Sequence, residues 1–470
     1  MKKAENFDEW YTQIILKSEM ADYSPVSGCV VYRPLGYAIW ENIQKATDAL
    51  FKADGISNTY FPLFIPERLL AKEAEHVEGF APEVAWVTQA GDSKLEERLA
   101  IRPTSESLMY AVVGRWIRSW RDLPMRLNQW NNVVRWEFKN PTFILRSREF
   151  LWNEGHSLFA TREEAEAERD RIMGVYKKIT EEYLALPGYL GKKSKAETFA
   201  GAEGTYSIEH LLPDGKAIQG PDWHSDGQNF SKAYDISFID RDGGKQHAFQ
   251  NTWALSTREI GVMLAVHSDD RGAVVPPKLA AIQVVVVPII NDESKDAILA
   301  EARKLMGSLS AFRTRLDERD NLTPGRKFNE WELKGVPLRI EFGPRDMKDG
   351  QAVLVRRDTG AKRPVKLDSL ALEVSRELDS IQRSLYQKAA DFLAKSTRDA
   401  ATLEELKKTL TEKGGLLRVR WCGDPSCESK MKAAAGGKIL NVPLDQDPAK
   451  GKCAVCGRDA PTYALYGRSY

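Results

Sequence analysis

Arg135-Trp136-Glu137, answered after a polar loop by Arg146-Ser147-Arg148-Glu149-Phe150-Leu151-Trp152, is the stretch that decides the fold. Its aromatic and β-branched flanks predict two antiparallel strands, 133–138 and 150–159, joined by a loop at 139–144. Alternate side chains of paired strands face one side, which puts Arg135, Glu137, Phe150 and Trp152 on one wall of a cleft. A solvated charged hairpin over buried aromatics is the competing reading of the same residues. Arginines matter here because the chain has no G-x-x-x-x-G-K-[ST] loop and no dinucleotide fingerprint after a strand. A nucleotide would have to be gripped by side chains, and guanidinium forks onto phosphate oxygens while staying charged.

Outward from the hairpin, further strand character appears at 60–65, and helical periodicity at 36–51, 106–121 and 163–186. These elements do not alternate as regular βαβ units, so residues 1–280 are expected to form an α+β domain, an antiparallel sheet flanked by helices. Pro276-Pro277 marks a boundary. Strands at 282–290, 311–316, 337–342 and 351–356 then alternate with helices at 296–309 and 327–334, predicting a small α/β domain. With a charged connector helix at 370–394 it occupies 281–392. The tail, 393–470, holds one more helix, a strand at 416–421 and a cysteine cluster.

The 470 residues exceed one ordinary core, and 42% hydrophobic with 29% charged residues is a globular balance. A net charge of +1 gives no global field for a polyanion, which would have to meet local basic patches. No apolar leader opens the chain, and its longest apolar run, 284–290, is too short to span a bilayer. A cytoplasmic location without membrane attachment is expected. In a reducing compartment Cys422-x4-Cys427 and Cys453-x2-Cys456 have the spacing of a closed structural Zn²⁺ site, against the alternative of four reduced buried thiols.

These segments resemble a known family. Arg135-Trp136-Glu137 with Arg146 and Phe150 is similar to motif 2 of class II aminoacyl-tRNA synthetases, and Ile101 to Glu106 to their Thr-x-Glu loop. The run from Trp253 to Gly261, with Arg258, is similar to motif 3, and Gly55 through Tyr60-Phe61-Pro62 to motif 1, which implies a homodimer. Phe150 to His156, Phe199-Ala200-Gly201 and the C-terminal Leu465 to Tyr470 resemble the prolyl branch, in the archaeal and eukaryotic-like form without an editing insertion. The resemblance covers essentially the whole chain. It implies activation of L-proline by ATP and transfer to tRNA(Pro).

By that resemblance Arg135 and Arg258 are the catalytic cations. Arg135 would bind the α-phosphate and the substrate carboxylate. Arg146 and Arg258 would hold the outer phosphates with Mg²⁺, and Phe150 and Arg258 would sandwich adenine. Glu137 would contact the adenine amino group or a nearby ribose, and Gln219 and Ser256 the ribose or a phosphate. Thr104 and Glu106 would hold the secondary ammonium, with Trp152, Phe199 and His224 around the ring. The 281–392 unit resembles an anticodon-binding domain, with Glu341, Arg345 and Lys348 as candidate contacts. One loop departs from the pattern: where prolyl enzymes usually carry Gly-Thr-Ser-His, this chain has Pro221-Asp222-Trp223-His224. Two other readings remain: a paralogue adenylating another small or cyclic amino acid, and a catalytically dead, zinc-containing RNA-binding regulator.

Overall fold

The computed structural model describes residues 2–76, 83–136, 141–291, 293–446 and 451–470. Its centre is a set of long antiparallel strands. Met125–Val134 pairs with Glu149–Phe159, which pairs with Phe249–Ser256, then Ala217–Gly227, then Gly204–Leu211. One face is covered by helices Pro34–Ala53, Arg162–Lys178 and Arg258–His267. Pro34–Ala53 begins with proline at its first position, where the missing N–H costs nothing, and buries Ile39, Trp40, Ile43 and Phe51. Arg162–Lys178 opens with a Thr161/Glu164 capping box. Phe51 meets Trp253 at 4.9 Å across this layer. Gly155 permits that packing, because a Cβ there would stand 2.0 Å from the Trp253 ring. The opposite face is left for the cleft.

The sheet does not end with the N-terminal unit. Among the described residues eleven strands run continuously, because Lys438–Pro443 from the tail pairs with Tyr189–Lys192 through Val442–Lys192 and Pro443–Gly191. Thr462–Gly467, Leu416–Trp421 and Thr397–Ala400 follow outward. In sequence, a separate five-stranded sheet comes between the N-terminal and C-terminal strands of this one. Its order is Thr314–Leu316, Val284–Pro288, Leu338–Phe342, Gln351–Arg356, Lys362–Lys366. Helix Leu370–Ser396 packs against it through Leu370, Val374, Leu378 and Ile381.

Several expected elements need correction. The strand expected at 133–138 is the end of Met125–Val134; Arg135 and Trp136 have already left it. The stretch 60–65 is irregular as far as Leu63, and pairing begins only at Phe64–Pro66. There Phe61 N–H donates to Gln129 Oε1, and the carbonyls of Phe61 and Pro62 accept from the buried Arg102 guanidinium at 2.8 and 3.3 Å. Side chains have replaced a strand partner. The helix expected over 106–121 stops at Val113, with Gly114 as its cap. Arg162–Lys178 continues into a π turn, Ile179–Tyr183, short of the expected 186. Lys362–Lys366 went unanticipated: its charges and Pro364 suit an edge strand.

Candidate active site

The uncovered face of the sheet forms a cavity of ≈ 260 Å³. Into it converge Thr104, Glu106, Arg135, Phe150, Trp152 and Phe199, and with them Gln219, His224, Ser256 and Arg258. The register explains the wall: Val133 faces Phe150 and Asn131 faces Trp152 across the hairpin, so alternation carries Phe150, Trp152 and Glu154 onto the cleft side. Arg135 leaves the strand just beyond, with its backbone N–H on the Arg148 carbonyl at 2.7 Å. Its guanidinium lies 5.5 Å from the Phe150 ring and 5.4 Å from the Trp152 ring, and its Nε donates to the Pro103 carbonyl at 3.1 Å. Phe150 and Trp152 meet edge-on at 5.7 Å.

Arg258 is aimed from the other side. It starts helix Arg258–His267 directly after strand Phe249–Ser256, and its Nε and Nη1 donate to the carbonyls of Leu145 and Gln219 at 2.9 and 3.1 Å. Burial pulls this guanidinium below its ordinary value, and Arg135 pushes the same way. Two converging cations in a desolvated cleft favour an anion between them.

The far end of the cleft is acidic. The buried Glu154 accepts from Ser105 N and Oγ at 2.7 and 2.6 Å, Gln129 Nε2 at 3.0 Å and Asn131 Nδ2 at 3.3 Å. His156 Nε2 lies 3.4 Å from it. Burial alone would raise its pKa; the His156 and Ser105 contacts outweigh that and hold the carboxyl low. Glu106, hydrogen-bonded to Thr104, is pushed up by burial and by Glu154. Neighbouring carboxyls driven in opposite directions by their surroundings suit a site for a substrate cation.

The altered loop divides by strand alternation. Asp222 and His224 face the cleft, whereas Trp223 is fully buried against Tyr206 on the other face. Asp222 Oδ2 accepts from Gln219 Nε2 at 2.8 Å and stands 3.5 Å from His224 Nε2, which supplies the partners a half-desolvated carboxylate needs. His224 Nδ1 shares a hydrogen bond with Thr205 Oγ1 at 2.9 Å, and its ring meets that of Phe199 at 4.7 Å, tilted by 33°. Thr205 Oγ1 also accepts from Phe199 N–H, so that hydroxyl braces the pocket wall.

Not every candidate joins the cleft. Arg146 sits exposed in the tight turn it closes with Thr142, outside the lining, and Glu137 lies outside the described residues. Glu341 is on strand Leu338–Phe342, held by Arg339 and Lys362 at 2.9 and 3.0 Å, while Arg345 and Lys348 stand exposed on the short helix Pro344–Asp349. Glu154, Glu197, Thr205 and Asp222 also line the cavity. Glu154 shares the alternation of Phe150 and Trp152 and could have been found that way; Glu197 carries no sequence signal.

At the other end of the molecule the four cysteine sulfurs lie within 4.8 Å of one another. Cys422 is 3.8 Å from Cys427 and 3.7 Å from Cys456. A tetrahedron with zinc–sulfur bonds of the usual length has edges of about 3.8 Å, so this donor set fits zinc. Arg458 lies 3.3 Å from Cys456 Sγ and 3.6 Å from Cys422 Sγ, a cation beside sulfurs that would carry excess negative charge.

An antiparallel sheet walled by paired arginines, with helix and strand ends meeting at its mouth, is the architecture of a class II aminoacyl-tRNA synthetase. The family profiles agree: residues 86–267 match the tRNA synthetase class II core domain (G, H, P, S and T), 283–377 the anticodon binding domain, and 403–470 the prolyl-tRNA synthetase C-terminal domain. Among curated relatives, "Proline--tRNA ligase 2" of Bacillus thuringiensis subsp. konkukian is 47% identical over 470 residues, covering 100% of this chain and 98% of that one. "Proline--tRNA ligase" of Natranaerobius thermophilus is 46% identical over 471 residues, with 100% and 97% covered. The chain belongs to the prolyl-tRNA synthetase family.

Proposed function

We propose that this chain activates L-proline with ATP and transfers the prolyl group to tRNA(Pro). The observation that carries the reading is the single cleft in which two arginines and Phe150 adjoin the Thr104–Glu106–Glu154 end under Trp152, Phe199 and His224. Adenine lies between Phe150 and Arg258, with Gln219 and Ser256 toward the ribose or the phosphates; the family resemblance gives Glu137 a contact to the adenine amino group or a nearby ribose. The proline ring sits among Trp152, Phe199 and His224, with its secondary ammonium toward Thr104 and Glu106. Arg135 holds the proline carboxylate against the α-phosphate. That carboxylate oxygen attacks phosphorus in line and pyrophosphate leaves, while Arg135 and Arg258 take up the charge that builds on the phosphoryl oxygens. A ribose hydroxyl at the tRNA 3′ end then attacks the acyl carbon and AMP departs.

Arg146, though it stands outside the cleft lining, would reach the outer phosphates, whose charge Mg²⁺ would share. Cys422, Cys427, Cys453 and Cys456 hold a structural zinc. Residues 1–280 form the catalytic domain, 281–392 read the anticodon through Glu341, Arg345 and Lys348, and 393–470 form the zinc-binding domain. A homodimer forms through the motif 1 region, where Tyr60 is 69% exposed. The location is cytoplasmic; among the described residues no helix is long and apolar enough to cross a membrane. Arg135→Ala tests the chemistry: proline-dependent ATP–pyrophosphate exchange should vanish with the circular dichroism spectrum unchanged, and retained exchange would remove Arg135 from its role.

A further inference from the structure

The pocket wall that carries Phe199 is tied down from outside the catalytic unit. Between strands Tyr189–Lys192 and Gly204–Leu211 the chain makes one 3-10 turn, Lys195–Glu197, and then presents Phe199 to the cleft. A single turn of this kind has little stability of its own. It closes through Glu197 N–H and the Thr198 hydroxyl on the Ser194 carbonyl, at 3.1 and 2.9 Å. Both of its ends are gripped by the tail. At the start, the buried Ser194 hydroxyl donates to Glu428 Oε1 at 2.7 Å. At the end, Lys438 Nζ donates to Glu197 Oε2 at 2.5 Å.

These grips come from two elements of the tail. Glu428 follows Cys427 in helix Pro425–Ala435, and Lys438 opens the strand that joins the catalytic sheet. Asn441, on the same strand, donates to the carbonyls of Tyr189 and Ser207 at 2.8 and 3.2 Å, fixing the two strands that frame the turn. From Phe199 the chain of contacts continues through Thr205 to His224.

We propose that Glu428 and Lys438 of the C-terminal unit are positioning residues for proline recognition: they hold the Ser194–Glu197 turn so that Phe199 and His224 stand at the ring site. The tail thereby sets affinity for the amino acid without touching it. ATP is bound on the Arg135–Arg258 side, which neither Glu428 nor Lys438 touches and which His224 meets only through Asp222 and Gln219, so its affinity changes less. The inference rests on the reading of Phe199 as a wall of the proline site.

The test is steady-state ATP–pyrophosphate exchange on the full-length, zinc-loaded protein, varying proline and ATP separately in Glu428→Ala, Glu428→Gln, Lys438→Met and Phe199→Ala. Coupling through a packed segment predicts a rise in KM for proline of roughly three- to thirtyfold in Glu428→Ala and Lys438→Met, with KM for ATP within about twofold. Glu428→Gln keeps an acceptor oxygen for Ser194 and should restore the proline KM. Zinc content is measured alongside, and Lys438→Met, which alters no neighbour of a cysteine, decides the matter if Glu428→Ala loses the metal or fails to fold. An unchanged proline KM in Lys438→Met, while Phe199→Ala raises it, overturns the coupling and leaves the pocket reading standing. Equal rises in both KM values overturn it too. An unchanged proline KM in Phe199→Ala removes the pocket reading and this inference with it.

Discussion

Glu154→Gln exchanges one oxygen for an NH₂ group, and the structure makes that small change expensive. Oε1 accepts the Ser105 N–H at 2.7 Å, while Oε2 accepts from Ser105 Oγ, Gln129 Nε2 and Asn131 Nδ2. If the new NH₂ replaces Oε2 it confronts two amide donors; if it replaces Oε1 it confronts a backbone N–H. Gln129 cannot turn its own amide to help, since its Oε1 already serves Phe61 N–H. The side chain is buried, at 3% exposure. One or two unsatisfied buried donors cost about 1–3 kcal/mol each, so about 2–4 kcal/mol falls on the Thr104–Ser105–Glu106 loop. On the proposal that this loop meets the substrate ammonium, kcat/KM for proline in pyrophosphate exchange should drop roughly 30- to 1,000-fold. The thermal midpoint should fall as well. A variant within about threefold of the parent, with an unchanged midpoint, would refute the claim that Glu154 anchors the amino-acid end of the cleft.

Elemental analysis of the purified chain should find about one zinc per chain, lost in Cys453→Ser together with stability of the tail, because a structural metal contributes folding free energy directly; a metal-free parent of undiminished stability would contradict this. A pH effect follows from His267, whose Nε2 bonds the Leu184 carbonyl at 2.9 Å and whose pKa burial lowers from 6.5 to about 4. The unfolded chain takes up a proton below pH 6.5 that the folded chain refuses, so this contribution is complete above that value and is lost as pH falls toward 4. Up to about 3 kcal/mol is at stake, and the thermal midpoint of His267→Gln should vary less between pH 7 and pH 5 than that of the parent.

The hairpin wall was legible because alternation alone fixes which side chains share a face. Phe150 and Trp152 obey it, and Glu154, next in the same series, completes it. The helices were legible where apolar periodicity ran to a cap, as in Pro34–Ala53, and misjudged where Gly114 cut the pattern short. Tyr60 to Leu63 looked like a strand because its composition is strand-like, yet Arg102 and Gln129 from distant segments take its backbone groups. The union of the tail with the catalytic sheet depends on Val442 meeting Lys192, a pairing that no local pattern encodes. The altered loop read as one departure, and the structure separates it: Trp223 belongs to the core and only Asp222 reaches the cleft. Arg146 resembled its motif partners in sequence but stands outside the lining.

The central claim joins the arginine-walled cleft to one amino acid, and ATP–pyrophosphate exchange measured with each standard amino acid in turn tests it most directly. The account predicts exchange strongest with proline, by a wide margin over alanine and cysteine. Exchange led by another amino acid would contradict the assignment of the Trp152–Phe199–His224 pocket, and no exchange with any of them would contradict the catalytic reading of Arg135 and Arg258.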